Sequence, residues 1–238
     1  GAKPVFCVYS TFMQRTYDQI SHDLCLNNNP ALILVYGASI YEESDATHLG
    51  IFDIPMISNI PNLVYLAPTN KEEYFKMLDW GLNQTEHPVA IRVPVVDVVS
   101  TGEADKTDYS ILNKSKVTKK GKDVAIIALS NFYNLGKEIA DELGDVTLIN
   151  PVYITGLDGE LLEELKESHK LVITLEDSVI EGGFGEKIAR FFGTSDVKVK
   201  NYGIKKSFPD RFIVEEFLIE NGISKDLIIN DIKEILNK

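Results

Sequence analysis

The stretch KPVFCVYSTFMQRTYDQISHDLCLNNNPALILVY, Lys3 to Tyr36, reads as strand, helix, strand. Pro4 to Tyr9 is a continuous apolar run of the kind buried on both faces of a parallel sheet. From Thr11 the period changes: Met13, Tyr17, Ile20 and Leu24 recur at helical spacing, and Asn27, Asn28, Asn29 and Pro30 close the segment. Ala31 to Tyr36, ALILVY, then supplies a second buried strand. This alternation is the signature of a mostly parallel sheet flanked by helices, and it decides for an α/β fold.

Working outward, Gly37 to Gly50 is polar and irregular, a loop over the sheet that contains His48. Leu63 to Ala67 reads as a strand, Lys71 to Asn83 as a helix and Val89 to Val93 as another strand. Between Val99 and Gly121 the apolar density falls, which places a domain boundary there. A second alternating unit follows, with strands at Val124 to Leu129, Val146 to Asn150, Leu171 to Leu175 and Val197 to Tyr202. Helices are expected at Tyr133 to Leu143, Gly159 to Lys166 and Gly185 to Phe192, and an amphipathic one at the end with Ser224 as its N-cap. The expected organisation is two domains, each a mostly parallel sheet flanked by helices, at 1–100 and 121–238 with a linker at 101–120.

The 238 residues are 44% hydrophobic, enough for two cores of ordinary size, and the net charge is −12. Such a charge repels nucleic acid and anionic membrane surfaces, so small molecules or other proteins are the expected partners. Cys7 and Cys25 have no spacing suited to a disulfide framework or a zinc site. No apolar run approaches the roughly 20 residues that a membrane span needs, and the N-terminus lacks a signal-peptide layout. A soluble, cytoplasmic protein is expected.

No nucleophile elbow, phosphate-binding glycine loop or metal-ligand cluster is present. Ligands of open α/β sheets bind beyond the carboxyl ends of strands, which singles out Tyr9 to Arg15, Gly37 to Gly50, and Arg92 to Val96. In these places stand KPVFCVYSTFMQRTYDQISHD (Lys3 to Asp23), THLGIFDIPMISNIPNLVYLAPTNKEE (Thr47 to Glu73) and AIRVP (Ala90 to Pro94). With GKDVAIIAL (Gly121 to Leu129) and VITLEDSVIEGGFGEKIARFF (Val172 to Phe192), they give the chain its resemblance to a known family. It resembles the C-terminal portion of thiamine-diphosphate enzymes of the transketolase superfamily, and is most similar to 1-deoxy-D-xylulose-5-phosphate synthases.

The resemblance implies a pyrimidine-binding domain, incomplete at its start, followed by a transketolase C-terminal domain. It implies that Phe12 stacks on the aminopyrimidine of thiamine diphosphate, as suits a flat heteroaromatic ring. Tyr9, Arg15 and Arg92 match substrate-binding positions, where a guanidinium fork suits a phosphate or carboxylate. His48 matches a histidine that contacts substrate and assists proton movement, work for which an imidazole is suited near neutral pH. The glycines of GGFG, Gly182 to Gly185, serve backbone geometry by the same comparison, and His22, His87 and His169 are expected to be structural or exposed.

Three departures from the family pattern stand out. The loop reads Ser44, Asp45, Ala46, Thr47, His48, which shifts the family's aspartate by one position. Val95 and Val96 occupy the stretch where a second arginine normally helps to hold a substrate phosphate. The glutamate that meets the aminopyrimidine, and the domain that holds the diphosphate and Mg, have no counterpart here. The implied reaction is transfer of a two-carbon or acyl unit, with pyruvate and glyceraldehyde 3-phosphate as the synthase pair. Alternatives are a transketolase or transketolase C-terminal subunit, and a non-catalytic paralogue with an assembly or regulatory role. A 2-oxo acid or sugar phosphate is the expected small-molecule partner. A homodimer, or an N-terminal domain or subunit, is the expected protein partner, with little activity from these residues alone.

Overall fold

The structure is a computed structural model that describes residues 2–41, 45–93 and 99–237. Its first sheet has four parallel strands: β1 (Val5–Tyr9), β2 (Leu32–Tyr36), β3 (Val64–Leu66) and β4 (Val89–Arg92), in the order β1-β2-β4-β3. Register aligns their carboxyl ends, with Tyr9 opposite Tyr36 and Val35 opposite Arg92. Between β1 and β2 the chain turns through α1 (Ser10–Met13) and α2 (Tyr17–Gln19), joined by a 3-10 turn and continued by a π-helical segment, Ile20–Leu26. Of the apolar period read in this run, Met13 and Ile20 are buried, whereas Tyr17 is exposed and Leu24 half-buried, and Cys25 takes the inward place beside Leu24.

α3 (Asp53–Ile57) was hidden inside what reads as irregular sequence, because five residues are too few to show a period. α4 (Lys71–Asn83) has the expected limits: Asn70 caps it by accepting from Glu73 N, while the Glu73 carboxylate reaches back to Thr69.

The second sheet is mixed, in the order β5-β7-β6-β8-β9. Its strands are β5 (Lys116–Lys119), β6 (Asp123–Ala128), β7 (Thr147–Asn150), β8 (His169–Val179) and β9 (Lys198–Ile204). All neighbours run parallel except β5, which pairs antiparallel with β7. That strand falls within the expected linker; its lysines read as solvated chain, yet they suit an edge that keeps other strands away. Around this sheet lie α5 (Tyr133–Leu143), α6 (Gly159–Ser168), α7 (Phe184–Phe192), α8 (Val214–Glu220) and α9 (Lys225–Leu236). Ser224 caps α9 by accepting from Leu227 N at 3.3 Å.

Two features place the site. One core runs through both halves, since Val35, Ile54 and Tyr65 cluster with Ile127, Val172 and Phe184. Backbone bonds stitch the same seam: Ala67 N donates to Val152 O at 2.9 Å, and Val179 N to Ile51 O at 2.9 Å. The other feature corrects an expectation. β1 is not buried on both faces, for Val5 is 46% and Phe6 43% exposed. It is an edge strand, paired with β2 alone among the described residues.

Candidate functional site

At the carboxyl edge of the first sheet, β1 and β2 end side by side and β2 turns sharply at Gly37, φ +64°. A side chain there would meet the Tyr9 ring at 2.8 Å, so the turn needs glycine for both conformation and space. Gly50, the last residue of THLG, sits on this turn: a Cβ would lie 1.9 Å from Gly37 O and 2.8 Å from Ser10 Cβ. Two glycines in contact thus bring the His48 loop down onto the end of β1.

The contact assembles three rings. Phe12 stands edge-on to His48, with centroids 5.4 Å apart, and to Tyr9 at 6.2 Å. Tyr9 and Phe12 are 49% and 45% exposed, an unusual state for neighbouring aromatics at the start of a helix and one that leaves ring surface for a ligand.

His48 is oriented through Nδ1. That nitrogen lies 3.1 Å from Asp45 Oδ1 and 2.8 Å from Thr47 Oγ1, while Thr47 donates to the same Asp45 oxygen through its hydroxyl at 2.5 Å and its amide at 2.9 Å. The Thr47 hydroxyl, then His48 and the Thr47 amide, hold the Asp45 carboxyl well below its usual range, at about 2. An aspartate moved by one position therefore still reaches the imidazole, and Nε2 has no protein partner among the described residues. A carboxylate-oriented imidazole of this kind can accept or return a proton at Nε2.

Arg15 is exposed and has no carboxylate partner among the described residues. With Phe12, Thr47 and Phe52 it lines a cleft of about 280 Å³. The structure thus brings Tyr9, Phe12, Arg15 and His48 to one place.

Arg92 lies elsewhere, which corrects its expected substrate role. Its guanidinium is 1% exposed: Nε and Nη2 donate to the two oxygens of Asp53 at 2.8 and 3.2 Å, and Nη1 donates to Asp177. Asp177 also accepts from Ser39 Oγ at 2.7 Å and Asn131 Nδ2 at 2.8 Å, and Tyr65 donates its hydroxyl to Asp53. Burial lowers the pKa of Arg92, but the carboxylates of Asp177 and Asp53 outweigh it and raise it above the ordinary value. Strand-end position suggested a ligand contact; two acids distant in sequence instead take a hydrogen bond from each of its three nitrogens, at the seam between the halves. Val95, Val96 and Ser44 lie outside the described residues.

Two buried acids escaped the sequence reading, although a Glu-Asp pair inside the apolar run LVITLEDSV was the signal for them. Asp177 is the partner of Arg92. Glu176, fully buried, accepts from Phe184 N and Gly185 N at 2.8 Å each, at the N-terminus of α7. A Cβ on Gly183 would stand 2.5 Å from Glu176 Oε2, so GGFG folds around an internal carboxyl group. The other histidines are placed as expected: His22 is exposed on Asp18, and His169 is bonded to Thr147 and Ser168.

Residues 1–98 match the family model of the transketolase pyrimidine binding domain, and 113–228 that of the transketolase C-terminal domain. Similar curated proteins are the 1-deoxy-D-xylulose-5-phosphate synthases of Carboxydothermus hydrogenoformans, 37% identical over 100% of this chain and 39% of the relative, and of Clostridium tetani, 34% identical over 99% and 39%. That of Pseudoalteromonas translucida is 36% identical over 100% and 38%. The chain thus spans about two fifths of the length of these relatives. Among solved structures, a split gene transketolase in its inactive beta4 tetramer shares the fold, with a TM-score of 0.81 and 21% identity over 98% of this chain and 76% of that one. With both halves matched, the chain belongs to the transketolase superfamily, as a pyrimidine-binding domain followed by a C-terminal domain.

Proposed function

We propose that these residues form the ring-binding and substrate-facing part of a thiamine-diphosphate-dependent transferase of the 1-deoxy-D-xylulose-5-phosphate synthase kind. The observation that carries this reading is the half-exposed cluster of Tyr9, Phe12 and His48, with His48 oriented by Asp45. The exposed face of Phe12 fits a flat heteroaromatic ring. No group of three or more histidines, cysteines or carboxylates that could hold a metal occurs among the described residues, so their part in holding the cofactor is assigned to its ring end. When bound, thiamine diphosphate supplies the nucleophilic carbon and the electron sink for acyl transfer. Phe12 orients that ring. Arg15 pairs with the acid group of the substrate, Tyr9 flanks Phe12 at the end of β1, and His48 Nε2 holds or moves a proton at the substrate oxygen.

With Arg92 engaged in the seam, Arg15 is the guanidinium among the lining residues of this cleft, so a 2-oxo acid, the class to which pyruvate belongs, is the favoured donor. The whole protein is proposed to act with a partner domain or second subunit, consistent with the coverage of the relatives.

Calorimetric titration of the full-length protein with thiamine diphosphate and magnesium tests the reading. Phe12→Ala is expected to weaken binding about tenfold, in keeping with the loss of one aromatic contact. His48→Asn is expected to leave binding in place and lower turnover by about 10² or more. Absence of any binding at millimolar cofactor would sink the proposal.

A further inference from the structure

The cleft beside Phe12 has a wall that comes from the other half of the chain. Residues 205–213 join β9 to α8 and touch the segment that follows β2, at Ala46 and Phe52. Asp210 Oδ1 accepts from Ala46 N at 3.3 Å, which ties this loop to the one that carries His48. Next to it, Phe208 is 80% exposed, and its ring lies 5.7 Å from that of Phe52. Phe208, Phe52, Phe12 and Arg15 line the same 280 Å³ cleft, and no acidic side chain is among its described lining residues. Thr11, also in its lining, has a buried hydroxyl with no hydrogen-bond partner among the described residues.

Each of these features asks for something from a ligand. An unpaired guanidinium favours a carboxylate. An orphaned hydroxyl favours a hydrogen-bonding oxygen, since such a group costs free energy while unmatched. A phenyl ring held out into solvent beside a second one favours an apolar group, because covering it removes apolar area from water. The volume is that of a small molecule, near the lower end of ordinary ligand pockets.

We propose that the cleft takes a 2-oxo acid with an apolar side chain, the carboxylate on Arg15 and the side chain against Phe52 and Phe208, so that Phe208 is a specificity-determining residue. This rests on the site assignment made above and extends it to the substrate's side chain.

The test compares pyruvate with phenylpyruvate, which share the 2-oxo carboxylate and differ by a phenyl group, in titrations of the full-length protein. Phenylpyruvate is expected to bind about tenfold more tightly, the scale of burying part of one ring. Phe208→Ala should reduce that ratio to about one, and Phe208→Leu should keep most of it. Because Phe208 is mostly exposed, these variants should fold. Equal affinities in the native protein, or a preference that survives Phe208→Ala, would overturn the proposal. If that happens while Phe12→Ala still weakens thiamine diphosphate, the specificity proposal falls alone. If Arg15→Ala leaves the affinity of both acids unchanged, the acid does not sit on Arg15 and the proposal is again overturned.

Discussion

Arg15 and Arg92 stand at the carboxyl edge of one parallel sheet, the first in the turns that follow β1 and the second at the last residue of β4, in opposite surroundings. Arg15 is exposed, beside half-exposed rings, and has no carboxylate partner among the described residues. Arg92 is sealed between Asp53 of α3 and Asp177 of β8, each 0% exposed. The comparison teaches that charge at a strand end is available for chemistry only where the fold leaves it short of partners. Here the second half of the chain decides which arginine is which, by placing Asp177 against Arg92 and Phe208 near Arg15.

The largest expected effect breaks the buried side of this contrast. Arg92→Met leaves Asp53 and Asp177 buried without their cation, a loss that costs about 3–5 kcal/mol in such pairs. Arg15→Ala removes no internal contact and should stay within about 0.5 kcal/mol of the native protein. Urea denaturation of the two variants checks both values. Similar stabilities would show that Arg92 is not the keystone of the seam.

Glu176 extends the contrast to pH. It is buried beside Asp177, and burial raises its carboxyl to about 8, against the two N–H donors of α7 and the Arg92 charge, which favour the ionised form. A folded-state pKa above the unfolded value near 4.5 means that folding takes up a proton. This contribution is complete below about 4.5 and is lost as pH rises through about 8, with a slope near 1.4 kcal/mol per pH unit, or roughly 3 kcal/mol between pH 4.5 and 7. Glu176→Gln should flatten that part of the profile. Denaturation midpoints across this range in both proteins are the measurement, and parallel profiles would count against a titrating Glu176.

On the open side, the placement of His48 depends on Gly50. Gly50→Ala puts a methyl group 1.9 Å from Gly37 O, so the backbone must part. A cost of about 1–3 kcal/mol is expected. The His48 and Phe12 resonances should move with it, because their ring contact rides on that approach. A variant with native stability and unchanged resonances would detach the glycines from the site.

What could be read in the sequence follows the range of the interactions. Strands and long helices are local patterns, and α4 and α5 carry their limits in caps and period. β5 was legible only as charge, and α3 and α8 are too short for a period. Tyr9, Phe12, Arg15 and His48 lie in contiguous motifs and come together as expected. The surroundings of Arg92 depend on residues 39 and 85 positions away, and no local pattern carries that information. Phe208 is equally silent, since a single phenylalanine in a polar loop looks like any surface aromatic until the loop is folded against Ala46 and Phe52.

The smallest expected effect concerns how the open site keeps its charge. Asp45 is half-exposed and burial contributes little; its low pKa comes first from the Thr47 hydroxyl and then from His48. A depressed carboxyl pKa places its contribution above the ordinary value of 3.8, to be lost only as pH falls through about 2. Asp45 is therefore a carboxylate throughout the neutral range, and the imidazole faces a fixed negative partner there. Thr47→Val keeps the shape of the side chain and removes the leading cause. The Asp45 midpoint, followed by carbon-13 shifts of its carboxyl group, should rise toward 3.8 while stability near neutral pH stays the same. Burial works the other way, raising a carboxyl as it does for Glu176, so it cannot supply the depression at Asp45. A midpoint that stays near 2 would show that the Thr47 hydroxyl is not the leading cause, and that His48 and the Thr47 amide hold the carboxylate instead.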